Sequence, residues 1–124
     1  MIVPYQFRKM VEEVIRGFVP SSRALGTLGT SVAAANNLTL GQDGNAVIVT
    51  GATQINLLDS TGWTNGSVVT LILNGGATVK NGQTTSGSFR QLQLSGSADF
   101  VTVNPASLTL LLLPTFWIEI GRKA

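Results

Sequence analysis

Asn65-Gly-Ser-Val-Val-Thr-Leu-Ile-Leu-Asn-Gly-Gly76 is a β-strand written between its own turn signals. Val68, Val69, Thr70 and Ile72 are β-branched and suit a pleated backbone. Asn65-Gly66 before them and Asn74-Gly75-Gly76 after them supply positive-φ residues, the pattern of tight hairpin turns. The same alternation of strand and punctuation extends in both directions. Upstream, Ala46-Val-Ile-Val-Thr50 follows Asp43-Gly44-Asn45, and Gln54-Ile-Asn-Leu-Leu58 comes next. Downstream, Ala77-Thr-Val-Lys80 stops at Asn81-Gly82, and Gln91-Leu-Gln-Leu94 alternates strictly. Phe100-Val-Thr-Val103 precedes Asn104-Pro105, and the last two apolar runs, 107–113 and 116–120, flank Pro114. Many short strands at regular spacing predict a mainly β body over residues 38–124, a compact antiparallel β-sandwich or barrel-like unit.

One run departs from the half-buried pattern. Leu108-Thr-Leu-Leu-Leu-Leu113 puts Leu108, Leu110, Leu111, Leu112 and Leu113 on both faces of one strand. A strand with one wet face alternates, so this one is expected to be covered twice, by its own core and by another layer or subunit.

Residues 1–23 carry a different period. Val3, Phe7, Met10, Val11, Val14, Ile15 and Phe18 recur at three- and four-residue steps, which predicts an amphipathic helix. Pro4 suits a first helical turn, Gly17 suits a stop, and Pro20 forbids continuation. Arg8, Lys9, Glu12, Glu13 and Arg16 fill the opposite side. A helix this short is marginal alone, so its apolar stripe must dock. The alternatives are its own body, a symmetry mate, or a larger assembly that Phe7, Met10, Val11, Val14 and Phe18 would anchor it to. Residues 24–37, rich in Ser, Gly, Ala and Thr, read as a linker or extended arm.

Composition narrows the function classes. The 124 residues fit one domain with an appended arm. Charged residues make up 11% against 44% apolar, fewer charges than a solitary soluble domain usually displays. Apolar surface hidden between copies reconciles these values and predicts a homo-oligomer. The net charge of +2 comes from basic residues scattered along the chain, which does not suit nucleic acid. The run Leu110–Leu113 is too short to cross a bilayer, and no secretion signal precedes the body, so synthesis in a cytoplasm is expected.

The chain has no His and no Cys, which removes the commonest general base and the thiolate ligands of metal sites. No cofactor, metal or catalytic residue is expected. Asp99 and Glu119 are the one pair of body acids that cross-strand proximity could bring together for glycoside hydrolysis, though turn and edge roles explain them as well. Asp43-Gly44-Asn45 is a fragment of a calcium-loop spacing without the closing Glu, and reads as a turn. Trp63 and Trp117 each suit the end of a core, with sugar stacking on an exposed Trp as the alternative.

Four patches together resemble a β module of tailed-phage virion proteins, found on tail fibres, head fibres and capsid surfaces. They are Asn45-Ala-Val-Ile-Val-Thr-Gly-Ala-Thr-Gln-Ile-Asn56, Gly62-Trp-Thr-Asn-Gly66 leading into Val68–Leu73, Leu92-Gln-Leu-Ser-Gly-Ser-Ala-Asp-Phe100, and Phe116-Trp-Ile-Glu-Ile-Gly-Arg122. Pro114-Thr115-Phe116 stands where the module usually has a Gly or Asp turn. The resemblance implies a homotrimer on the virion surface that contacts the major capsid protein or another virion protein. The shortness of the chain favours a capsid decoration (cement) or head-fibre protein. A tail-fibre tip binding host glycan through the loops around Trp63 and residues 83–88 is the alternative.

Overall fold

The computed structural model of the protein describes residues 26–124. The expected helix, with Phe7, Met10, Val11, Val14 and Phe18, lies outside them. Ten strands form among the described residues: β1 (Val32–Ala33), β2 (Asn37–Leu38), β3 (Ala46–Thr50), β4 (Leu57–Asp59) and β5 (Val68–Asn74) come first. β6 (Thr78–Val79), β7 (Phe89–Gln93), β8 (Phe100–Val101), β9 (Ala106–Leu112) and β10 (Trp117–Lys123) follow. Eight of them make one sheet, ordered β1-β3-β5-β9-β10-β7-β4-β2, which curls into a half-barrel. β8 and β6 pair separately. The mainly β, barrel-like body is therefore what the chain forms.

The pairing is mixed where an antiparallel sheet was expected. β9 runs antiparallel to β5 and β10, and β4 to β7, while β3 is parallel to β5, β10 to β7, β1 to β3 and β2 to β4. Turn chemistry explains the difference. Gly66, Gly76 and Gly82 do adopt positive φ, as Asn-Gly pairs favour. Yet the strands on either side of each of these turns pair with more distant partners. A turn residue fixes local direction, whereas the pairing partner is chosen by which faces must be buried. Gly75 shows the packing role of this punctuation. A Cβ there would lie 2.3 Å from the Gly51 carbonyl oxygen, so the chain ends beyond β3 and β5 meet backbone to backbone.

Alternation builds the core. Val47 and Val49 of β3, Val69, Leu71 and Leu73 of β5, and Leu108, Leu110 and Leu112 of β9 all point inward and are buried. The antiparallel register sets Leu108 opposite Leu71 and Leu110 opposite Val69. Trp117 of β10, opposite Leu112, is fully buried, and its Nε1 donates to the Leu58 carbonyl oxygen at 3.1 Å. That bond joins β10 to β4, two strands away across the curl, and satisfies the one polar atom of the ring. From the far edge, Leu38 and Leu40 close the core.

The segment expected as an arm is extended and laid on the body. Leu28 bridges to Ala46, Val32–Ala33 pairs with Val49–Thr50, and Asn37–Leu38 pairs with Leu57–Leu58. The chain thus borders the sheet at β3 and then crosses to border it again at β4.

Leu110 sits fully buried at the centre of β9. Leu110→Ala is expected to cost about 2–5 kcal/mol, from lost transfer free energy and the cavity left behind. Urea unfolding followed by Trp fluorescence reads this directly.

Candidate functional site

The body has four carboxylates, and each is tied to a strand junction. Asp43 accepts from the Thr30 N–H and hydroxyl, pinning the segment before β1 to the loop before β3; these bonds hold its carboxyl below the ordinary value. Beside it, Asn45 accepts from the Thr27 N–H at 3.0 Å and donates to the Val68 carbonyl oxygen at 3.3 Å. The Asp43-Gly44-Asn45 fragment therefore uses its oxygens to close the sheet edge. Burial pushes Asp59 up, but the Thr61 N–H, 3.0 Å away, and the Ser88 hydroxyl outweigh it and leave Asp59 lowered. Asp99 accepts from the Asn81 N–H at 2.9 Å and pairs with Lys80 Nζ at 2.9 Å, and both lower it.

Glu119 has the most enclosed carboxylate, with 5% of its side chain exposed. Arg122 grips it with two bonds, Nε to Oε2 at 2.6 Å and a second to Oε1 at 2.7 Å, and Ser95 N–H donates to Oε1 at 2.8 Å. The Arg122 bonds lower Glu119 most, and Glu119 in turn raises Arg122. The guanidinium also lies 4.0 Å over the Phe100 ring, a cation–π contact. Residues three apart on a regular strand face opposite sides. Here the register shifts between Thr109 and Leu110, so Glu119 stands opposite Leu110 and Arg122 opposite Leu108, both on the inner side. The extra residue, Ile120, is thrown outward and is 54% exposed. Nothing in the sequence announces that bulge, so the fork and its stacking on Phe100 were not legible there. Asp99 and Glu119 each have their own cationic partner and do not form a facing pair.

Trp63 is half-buried, packed against the core with its ring edge-on to Trp117, the centroids 6.5 Å apart at 75°. This geometry commits Trp63 to covering the end of the core. Residues 83–88 are tied down by reciprocal backbone bonds between Ser86 and Phe89, and by the Gln91 N–H donating to Thr85 Oγ1. Among the described residues no three His, Cys, Asp or Glu gather where a metal could be held.

The remaining candidate is a surface: the outer side of β3, β5, β9 and β10. Register sets Ile48, Ile72, Ser107 and Lys123 in one row across the four strands. Ala46, Thr70, Thr109 and Gly121 form the next, and Val68, Leu111 and Ile118 the last. Thr70 and Thr109 hydroxyls bond to each other at 3.0 Å. At one corner a shallow depression of about 190 Å³ is lined by Ile72, Pro105, Ala106, Ser107 and Lys123. The structure thus resolves the Leu108–Leu113 run into two sets. Leu108, Leu110 and Leu112 enter the core, whereas Leu111 and Leu113 stay half-buried.

The chain matches no protein-family model, no curated protein and no solved structure.

The lowered carboxylates give stability a pH signature. A group whose folded pKa lies below its unfolded value stabilises fully above the unfolded value and loses that contribution as pH falls through the folded one. All four shifts point downward. The denaturation midpoint is therefore expected to vary little from pH 7 to 5 and to fall below about pH 4, where unfolded carboxylates titrate. Glu119→Gln is expected to lower the midpoint at pH 7 and to narrow the gap between pH 7 and pH 3. Urea titrations at the two pH values measure both effects.

Proposed function

We propose that the protein is a non-enzymatic structural protein that works as a homo-oligomer, a trimer, on the outside of a tailed-phage particle. In this reading it is a capsid decoration or head-fibre protein, made in the host cytoplasm and held against the major capsid protein or another virion protein. The observation that carries the structural part is the use made of the four body carboxylates. Asp43, Asp99 and Glu119 each fasten two distant segments of backbone, Asp59 closes its own turn, and all four are held in the ionised form. General acid–base chemistry calls for a group poised near the working pH and open to substrate, the opposite disposition.

Self-association is supported by an apolar surface separate from the sheet face. Along β8 and the residues after it, Phe100 and Thr102 turn inward, while Val101 and Val103 are 72% and 71% exposed. β8 pairs with β6 on one side only, so its other edge is free among the described residues. An exposed strand edge beside two valines is a surface that a further copy can cover. The virion address rests on the resemblance of the four sequence patches.

Light scattering on the purified chain is expected to give a mass three times 13.0 kDa. Val101→Asp with Val103→Asp is expected to reduce it to one chain while leaving the urea midpoint of the separated chain close to that expected for an intact core. A wild-type protein of single-chain mass at every concentration would overturn the oligomer. Imaging of the parent particle tests the address.

A further inference from the structure

We infer that Asn74 is where this chain modifies itself: its side-chain amide is lost to attack by the Gly75 backbone nitrogen, and the isoaspartate that results loosens the joint between β3 and β5. Water is the only other reactant.

Chemistry narrows the candidates first. The nitrogen of the residue after an Asn gives up its proton and bonds to the Asn Cγ. The Cγ–Nδ2 bond breaks, and the amino group departs as ammonia with that proton. The five-membered imide left behind is opened by water at either of its two carbonyls. Cleavage between Cγ and the nitrogen leaves aspartate in an unaltered main chain. Cleavage on the main-chain side leaves isoaspartate, whose backbone runs through Cβ and Cγ and is one carbon longer. Attack within one chain segment has no encounter to wait for. A Cβ on the following residue shields the nitrogen, and Gly has none. The chain has three Asn-Gly pairs, Asn65-Gly66, Asn74-Gly75 and Asn81-Gly82. Asn104 is followed by Pro105, whose nitrogen carries no proton.

The structure then separates the three pairs. Ring closure needs the Gly N–H free to lose its proton and the peptide free to turn toward the side chain, and a hydrogen bond opposes both. At Asn81 everything is held. The Gly82 N–H donates to the Leu92 carbonyl oxygen at 2.8 Å, and Asn81 Oδ1 accepts from the Leu94 N–H at 2.8 Å. Asn65 is exposed, but the Gly66 N–H donates to the Leu112 carbonyl oxygen at 2.8 Å, and the Leu112 N–H returns a bond to Ser67 at 2.9 Å. Among the described residues the Gly75 N–H has no hydrogen-bond partner, and neither has the Asn74 side chain. Asn74 is also exposed and is the last residue of β5, where a strand opens most easily.

The same place is intolerant of a longer backbone. Thr50 and Asn74 form the last rung between β3 and β5. Directly beyond it Gly75 meets Gly51 so closely that a Cβ would lie 2.3 Å from the Gly51 carbonyl oxygen. An extra main-chain carbon at position 74 displaces Gly75 from this contact, whereas ordinary aspartate leaves it in place. The inference is independent of the proposed function, since it uses no contact with another copy.

Ageing the full-length protein at mildly alkaline pH, folded and in urea, followed by peptide mass spectrometry, reads each pair through a gain of about 1 Da. In the folded protein Asn74 is expected to react several-fold faster than Asn65 and Asn81, and in urea the three rates are expected to converge. Asn65 or Asn81 keeping pace with Asn74 in the folded protein would overturn the assignment, as would an intact Asn74 there while the urea sample reacts. Asn74→Gln, whose longer side chain closes the ring poorly, is expected to cut ammonia release from the folded protein several-fold; unchanged release counts against the site. The isoaspartate fraction, separated by chromatography, is expected to unfold at lower urea than fresh protein. Asn74→Asp carries the same added charge on an ordinary main chain and is expected to stay close to fresh protein. Equal midpoints for the isoaspartate fraction and Asn74→Asp would refute the loosening of the joint.

Discussion

The strand that everything else leans on is β9. Its seven residues pair with β5 over Ala106–Leu111 and with β10 over Ser107–Leu112. Its backbone groups are consumed by two ladders, which is the condition for a strand to lie in the interior of a sheet. Leu108, Leu110 and Leu112 project from it into the core, and the inward residues of β5 and β10 are aligned by register to meet them. The parallel neighbours depend on this arrangement at one remove. β3 is positioned by β5, and β7 by β10, so displacing β9 would separate the two halves of the curled sheet.

The bulge opposite β9 decides what the sheet can hold at its end. By inserting Ile120, β10 brings Glu119 and Arg122 to the same side, and their fork closes over Phe100 of the smaller β6–β8 pair. An ion pair with this little exposure is favourable only because its geometry is bidentate and Ser95 satisfies a further lone pair. The guanidinium over Phe100 thus ties the smaller sheet to the larger, while the Thr102 hydroxyl, donating to the Ala77 carbonyl oxygen, extends the β6–β8 pair itself.

The parts of this fold that are local were legible in the sequence, and the parts that are collective were not. Val68–Leu73 and Ala46–Thr50 announced strands, because β-branched residues bounded by glycines leave few other conformations. Gly66, Gly76 and Gly82 announced positive φ. Their partners could not be read, because a Val-rich strand accepts either a parallel or an antiparallel neighbour, and the choice depends on which faces the whole chain must bury. Leu108–Leu113 is the instructive case. Its apolar character announced a strand, yet only the register separates Leu110, which the core covers, from Leu111, which stays half-buried. The carboxylates show the converse. Asp43 and Asp99 were legible as turn and edge residues from their neighbours in sequence, while the role of Glu119 depended on a bulge one residue long.

The outer face of β9 shares the chain's economy of charge. A half-barrel differs from a closed barrel in leaving part of its outer wall to be managed by side-chain choice alone. Here the middle row is built of Ala46, Thr70, Thr109 and Gly121, small or self-bonded residues. The row is low between the larger Ile72 and Leu111 on either side, so the relief of this face, like its apolar character, follows from two threonines set opposite each other on adjacent strands.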